Sequence, residues 1–470
     1  MKWLILGPEI YFLAMAVVFL ILSLARHNAR RDFAAALFLA GLGVAVTLTT
    51  VCMEGSFFSG AYRVDLYSQV FKGLLSLGFF LVVCLCSNLK GIEEESHSEF
   101  YLFLTTCTLG MMLLVSSIEL LTLYVALELS SYSLYALVPL RSGSGQQMEA
   151  AIKYFLSGIA TSALMLFGLA SLFGATQTTY IAELTLKLPG LLHTPMAFIG
   201  LLLTLCGFFF KLALFPFHVW APSVYQGAAN QVTAFLATAT KVTAMAMLAR
   251  LVSMSHGNTS LAHVLIALAI ISMTYGNLVA LVQKDLKRLL AYSAIAHAGY
   301  ALIGILSMNP TGYAAAVFYA MAYLAMTFIC FLVVVKVASD GRNVAIVQLA
   351  GLHRRSPLLA MALLVGVFSL GGIPPTIGFT GKFLVFNAAM ERDYFLLVLI
   401  AMINVVVSLY YYIQVVKAAF LLESEEELPA IKLSASVAIL IVVIIVVIIV
   451  GGIFPRYLFQ LATSAIRGLL

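Results

Sequence analysis

Charge is what this sequence has least of. Aspartate, glutamate, lysine and arginine make up 10% of its 470 residues, against the roughly 25% of an ordinary soluble domain. That shortage excludes a protein whose surface faces water on all sides. Cysteine is also sparse, and its six copies are scattered. Only Cys84 and Cys86 are close, and two positions apart on a helix they point to different faces. There is no CxxC, no Cys/His cluster, no glycine-rich phosphate loop and no dinucleotide fingerprint, so no redox, metal or nucleotide cofactor is expected on this chain. The net charge of +6 belongs mostly to loops, and a nucleic-acid partner is not expected.

What is present is apolar length. Residues of apolar type make up 63% of the chain, and stretches such as 434–454 run about twenty residues without a charge, enough to cross a hydrocarbon core about 30 Å thick. In lipid a backbone must satisfy its own polar groups, which leaves helices or a closed barrel. Continuous apolar runs, rather than ten-residue alternation, choose helices. The first run, 3–24, has one basic residue before it and no small-residue cleavage site, so it reads as a retained span. The sequence predicts an all-α polytopic membrane protein with fourteen spans. They lie near 3–24, 33–52, 66–88, 100–117, 119–139, 151–174, 196–219, 229–252, 261–282, 289–308, 313–337, 358–388, 395–418 and 434–454. The loops are short, so 1–470 reads as a single membrane domain.

Loop charges give an orientation. One set of alternate loops holds Arg26, Arg30, Arg31, Lys90, Arg141, Lys284, Lys287, Arg288, Lys336, Arg342, Arg354, Arg355, Lys417 and Lys432. The other, with both termini, holds Lys2, Arg63, Lys72, Lys187, Arg250, Arg392, Arg456 and Arg467. The richer set is assigned to the cytoplasm and both termini to the outer side. Of the 26 basic residues this leaves four, Lys153, Lys211, Lys241 and Lys382, inside spans. Glu128 and His297 join them there, while Glu9 and Glu119 are expected at the outer interface.

Two spans are interrupted. Span seven contains LFPFH and span twelve SLGGIPPTIGFTGKF. Proline inside a helix removes a hydrogen bond and clashes with the preceding turn, which a bilayer tolerates only where protein or water satisfies the freed carbonyls. The breaks share a spacing, Phe210-x-Leu212-x-x-x-Pro216 and Phe368-x-Leu370-x-x-x-Pro374. Paired broken helices point to an internally repeated transporter with its site near the midplane.

A charged side chain at the bilayer centre costs roughly 2.5–3.5 kcal/mol on insertion scales, so such groups are paired, hydrated or functional. Lysine suits proton handling because burial weakens its hold on a proton and a nearby carboxylate restores it. At an effective dielectric near 20 a unit pair is worth roughly 4 kcal/mol at about 4 Å and under about 2 kcal/mol at about 10 Å. A glutamate moving over that range could load and release a lysine proton. Glu128 and Lys211 are expected to form such a pair, with Lys241 and Lys382 as onward stations. Plainer roles exist for each. Lys153 lies near a helix end and can snorkel, Glu149 can complement the start of span six, and His218 can cap carbonyls freed by the break. His297 can be a neutral interhelical donor.

Several stretches resemble a known family. FKLALFPFHVWAPSVYQGAANQVTAFLATATKV (210–242), LYVALELSSYSLYALV (123–138), AIKYFLSG (151–158), QKDLKRLLAYSAIAHAGY (283–300), AGLHRRSP (350–357) and the span-twelve break are similar to the subunit N family of bacterial NADH–quinone oxidoreductase, respiratory complex I. This family is one of the antiporter-like membrane subunits. The resemblance implies three N-terminal spans (1–99), two inverted five-helix repeats (spans 4–8 in 100–252, spans 9–13 in 261–418) and a last span (434–454). It implies redox-driven proton translocation through Glu128, Lys211, Lys241 and Lys382, with Lys153, Glu149, His218 and His297 as further path residues. It also implies larger antiporter-like subunits and small membrane subunits as partners in a bacterial inner membrane. Flavin, iron–sulfur clusters and quinone are then expected on partner subunits. Where the family has WxPDVYxGAP, this chain has Ser223, Ala229 and Asn230. The alternatives are a subunit of a multisubunit cation/proton antiporter and a non-pumping structural subunit.

Overall fold

The computed structural model describes residues 2–25, 27–143, 145–255, 257–338, 340–423 and 429–468; Arg26 of the loop-charge count lies outside them. Among the described residues there are nineteen α-helices and one hairpin of two three-residue strands. In chain order the first are α1 (Gly7–Leu24), α2 (Ala29–Thr50), the strands β1 (Gly55–Phe57) and β2 (Tyr62–Val64), then α3 (Leu66–Cys84), α4 (His97–Ser116), α5 (Leu120–Leu137) and α6 (Gln146–Thr176). The middle holds α7 (Ile181–Leu191), α8 (Pro195–Leu212), α9 (Trp220–Gly227), α10 (Asn230–Ser253), α11 (Thr259–Ala280), α12 (Leu286–Leu306) and α13 (Pro310–Val337). The remainder are α14 (Leu352–Arg355), α15 (Pro357–Gly371), α16 (Ile377–Met390), α17 (Phe395–Phe420), α18 (Ala435–Ile453) and α19 (Arg456–Ala465).

Thirteen of these are long and apolar enough to cross a membrane, and the short apolar pair α15 and α16 makes the fourteenth span in two pieces. The expected span count and the helical class therefore stand. Helix starts follow the loop chemistry. Asn28, Asp65, Asn258, Asp285 and Asn309 each accept a backbone N–H from the first turn of the following helix, which satisfies donors that have no partner inside the helix.

The apolar stretches of α10 and α12 are buried along their full length, and α13 nearly so. Around them α1, α2, α6, α17 and α18 keep exposed apolar faces, Leu20, Phe167, Val406 and Ile439 among them, which is the pattern of a bundle solvated by lipid. Burying α10 requires that its polar side chains be satisfied. Its threonines do this locally: Thr233, Thr238, Thr240 and Thr243 donate to Ala229, Ala234, Leu236 and Ala239 carbonyls, each four residues back. Helices α6 and α8 cross at Gly168, where a Cβ would come 2.5 Å from the Thr204 nitrogen. Small residues permit that backbone approach, as is common between helices in lipid.

Both breaks end in the same cap. After α8, the Leu214 N–H donates to Phe209 and the Ala213 N–H to Phe210, with Ala213 left-handed at φ 59°. After α15, Ile373 donates to Phe368 and Gly372 to Ser369, with Gly372 at φ 80°. These are paired Schellman motifs, each followed by a cis X–Pro bond, Phe215–Pro216 and Pro374–Pro375. The structural match aligns Ala213 with Gly372 and Pro216 with Pro375. It is one residue off the letter match of Pro216 with Pro374, because the left-handed turn, not residue identity, fixes the register.

Both terminal segments reach the start of α3. Gly468 packs on Asp65 at the start of α3, close to the hairpin, whose Tyr62 bonds Glu9 of α1.

Candidate functional site

Lys211 occupies the last turn of α8 and is buried. Its ammonium donates to Ser130 Oγ at 3.2 Å. Glu128 lies two positions before Ser130 on α5 and so points another way; it accepts from Ser162 of α6 at 2.5 Å. No ion pair joins Glu128 to Lys211. The expected pair is thus held apart, each member on its own serine. A water-sized cavity beside Lys211 is lined by Ser130, Thr240 and Thr243, polar partners of the kind that hold a buried water.

The other two lysines answer the question of what tolerates the breaks. Lys241 of α10 donates to the Leu212 carbonyl at 2.5 Å, at the broken end of α8, and stands 5.3 Å from the Trp220 ring centroid. Lys382 of α16 donates to Leu370 at 2.7 Å and Gly371 at 3.2 Å, at the broken end of α15, with the Tyr300 ring 4.7 Å away. In each half, a buried ammonium is set against carbonyls that the interruption leaves without helical partners. Helix C-termini carry a partial negative charge, so the cation and the break stabilise one another. Leu212 and Gly371 are equivalent under the Ala213–Gly372 match.

A separate hydrogen-bonded cluster lies in the second half, centred on His297. His297 Nδ1 lies 2.6 Å from Tyr319 Oη and its Nε2 3.3 Å from Tyr412 Oη, which in turn lies 2.5 Å from Ser293 Oγ. Asn277 donates to Tyr300 Oη at 3.2 Å and to Asn404 Oδ1 at 3.2 Å, and accepts from Tyr411 at 3.0 Å. Lys211, Lys241, His297 and Lys382 are all buried in the protein interior.

Residues 117–408 match the family described as NADH:quinone oxidoreductase/Mrp antiporter, TM. The chain belongs to this family. Within it, the chain is 57% identical over 472 residues, covering 100% of both chains, to NADH-quinone oxidoreductase subunit N 2 of Syntrophobacter fumaroxidans. It is 44% identical over 463 residues to the protein of that name from Opitutus terrae, covering 98% of this chain and 97% of the other. Among solved structures, a chain of respiratory complex I from Thermus thermophilus with bound Aureothin superposes with TM-score 0.84 at 35% identity, covering 97% of this chain and 99% of that one. A chain of the Mrp complex from Dietzia sp. DQ12-45-1b superposes with TM-score 0.87 at 19% identity, covering 99% and 97%; that is likeness of fold.

Not every residue singled out by its sequence joins the interior chain of this subunit N relative. Lys153 and Glu149 pair with each other at 2.5 Å on the exposed face of α6. His218 is buried in the first break, stacked on Phe215 at 5.3 Å with Tyr275 at 4.6 Å, and its Nδ1 has no hydrogen-bond partner among the described residues. Glu119 caps α5 through the Thr122 N–H at 2.7 Å.

Other buried charges went unseen in the sequence. Lys72, counted above with the loops, is fully buried in α3 and ion-paired with Glu9, which also accepts from Tyr62 at 2.5 Å. Glu9 is therefore an interior partner and not an interface residue. Arg250 is buried against Asp65 at 3.2 Å. Lys287 donates to Ala228 at 2.8 Å and Arg141 to Gln226 at 2.7 Å, so the carbonyl end of α9 is also met by cations. The residues Ala229 and Asn230 lie at this turn, where Asn230 Nδ2 reaches the Arg342 carbonyl at 3.3 Å. The available signal for Lys72 and Glu9 was their depth, each several residues inside an apolar run.

Proposed function

We propose that this chain is a proton-translocating membrane subunit of a complex I-type NADH:quinone oxidoreductase, driven by quinone reduction elsewhere in the complex. The observation that carries the reading is the repeated pairing of a broken helix with a buried lysine ammonium, Leu212 with Lys241 and Leu370 with Lys382, on hydrogen-bonded interior side chains. Each lysine grips its half-helix end as an ammonium and releases it as a neutral amine. Proton occupancy and the geometry of the break are therefore coupled.

The path runs Glu128, Lys211, Lys241, His297, Lys382. Glu149 and Lys153 at one helix start and His218 at the first break serve as access points. Loading begins when Glu128 approaches Lys211 and strengthens its hold on a proton; separation, the arrangement described above, releases it towards Lys241. Residues 100–252 and 261–418 act as the two inverted repeats, after an N-terminal unit (1–99) and before the last span (434–454). The chain sits in the inner membrane with both termini on the outer side. Its partners are larger antiporter-like and small membrane subunits, and the flavin, iron–sulfur clusters and quinone belong to partner chains. This reading is supported by the subunit N relatives and by the loop-charge asymmetry.

The test is Lys211→Met in the assembled complex. Quinone reduction with a lowered proton-to-electron ratio is the expected result. Normal stoichiometry in an assembled complex would remove Lys211 from the path. The fold likeness to the Mrp chain favours one rival, a cation/proton antiporter subunit. Sodium-driven proton exchange in vesicles without any quinone substrate would decide for it.

A further inference from the structure

At the end of the bundle opposite the chain termini lies a cleft of about 130 Å³ that the proton axis does not use. It forms where the exit of α3, the start of α10, the last turn of α13 and the segment before α18 converge. Its polar lining is Asn88, Lys90, Asn230, Gln231, Lys336 and Lys432. Lys90 and Lys432 are exposed and Lys336 half-buried, and none of the three is ion-paired to a described side chain. Three ammonium groups thus share one opening without a carboxylate among its lining residues.

The second observation narrows the ligand. Asn230 and Gln231 are each 3% exposed. Their amide nitrogens each donate once, to the Arg342 carbonyl at 3.3 Å and the Asn88 carbonyl at 3.3 Å. Their oxygens, Asn230 Oδ1 and Gln231 Oε1, are buried with no hydrogen-bond partner among the described residues. A buried acceptor left unmet costs roughly 1–3 kcal/mol. A ligand that suits this cleft therefore needs anionic oxygens for the lysines and hydroxyl hydrogens for the two carboxamides. A bare anion supplies the first and not the second, and water supplies the second without neutralising three cations. At about 30 Å³ per liquid water, the cleft holds a group of several heavy atoms, the size of a phosphate with a hydroxylated arm.

We propose that this cleft binds a phosphodiester or phosphomonoester bearing free hydroxyls, the chemistry of a phosphatidylglycerol headgroup or of soluble glycerol 3-phosphate. The apolar side chains Leu85 and Ile431 in its wall and the lipid-facing α18 that follows Lys432 favour the lipid. Basic pockets between spans at the membrane surface take anionic headgroups in this way.

The experiment uses the full-length chain in nanodiscs. By native mass spectrometry in discs mixing phosphatidylglycerol with phosphatidylcholine, the wild type is expected to retain one phosphatidylglycerol that K90Q/K336Q/K432Q retains at least tenfold more weakly. In discs of phosphatidylcholine alone, glycerol 3-phosphate is titrated by calorimetry. Saturable binding there, lost in the triple variant, assigns the same site to a soluble ligand. Identical behaviour of wild type and variant in both measurements overturns the proposal. N230A/Q231A keeps the charge and tests the hydroxyl contacts. It should lose the preference for phosphatidylglycerol over phosphatidylmethanol, and an unchanged preference would refute their role. K90R/K336R/K432R, retaining binding, excludes misfolding as the cause.

Discussion

The Lys382 ammonium lies 2.7 Å from the Leu370 carbonyl, in the last turn of α15, where the twelfth span is interrupted. In the proposed path this contact would serve both structure and proton transfer, and two substitutions separate the two roles. Lys382→Met leaves the Leu370 and Gly371 carbonyls unmet, at roughly 1–3 kcal/mol for each buried acceptor, so both thermal stability and proton translocation should fall. Lys382→Arg keeps a cation at the cap but one that does not deprotonate. It should hold the melting temperature of the complex close to wild type while the proton-to-electron ratio drops. Equal ratios in the arginine variant and the wild type would make Lys382 a cap and nothing more.

Lys72 and Glu9 are buried as an ion pair in which either partner alone would be an unpaired interior charge. Lys72→Met or Glu9→Leu alone should cost about 3–5 kcal/mol, whereas the double substitution should recover most of the loss. A double-mutant cycle by denaturant or thermal unfolding measures this. Additive losses would mean that the two groups do not act on each other.

Gly378 of α16 faces the Ser369 carbonyl of α15 so closely that an added Cβ would overlap it. Gly378→Ala should destabilise by about 1–3 kcal/mol, the cost of overpacking. Gly73, in the interior of α3, has open space around its missing Cβ, and Gly73→Ala should stabilise by about 0.5–1 kcal/mol through helix propensity. Opposite shifts of melting temperature in the two variants are the expected result.

Asn277 ties α11 to α12 and α17 through Tyr300, Asn404 and Tyr411. Interhelical bonds of this kind average about 0.6 kcal/mol each in lipid. Asn277→Leu should therefore cost about 1–2 kcal/mol, and hydrogen exchange should quicken in the middle of α17. Unchanged exchange there would show that the link carries no load.

Much of this was readable from the sequence because lipid allows few solutions. Apolar length located the spans, and Lys211, Lys241 and Lys382 were conspicuous because each sits well inside an apolar run, Lys211 and Lys382 as the only charge in theirs. The partners of those lysines were not readable. Two of them hold backbone carbonyls, which every residue possesses and no letter marks. Lys72 and Arg250 escaped because positive-inside counting treats any basic residue near a span end as solvated, while ion pairing to Glu9 and Asp65 lets both sit inside. The repeat register slipped by one because Gly372 and Ala213 adopt the same left-handed turn with different side chains. The hairpin 55–64 and helix α19, which packs against α13 and α3, are short and depend on tertiary contact rather than local periodicity.

The apolar stretch of helix α10 is wholly buried within the protein, and the helix carries four threonines, Lys241 and Arg250. Such a segment is a poor candidate for partitioning into a bilayer alone during synthesis, when charged residues near a span centre oppose insertion. Its passage into the membrane depends on α3, α8 and α13 arriving as a sheath, so biogenesis of this subunit is expected to be a collective event. A truncation that keeps α10 and ends in a reporter tag fused to the loop after it should leave that segment slipping back to the aqueous side, detectable by glycosylation of the tag.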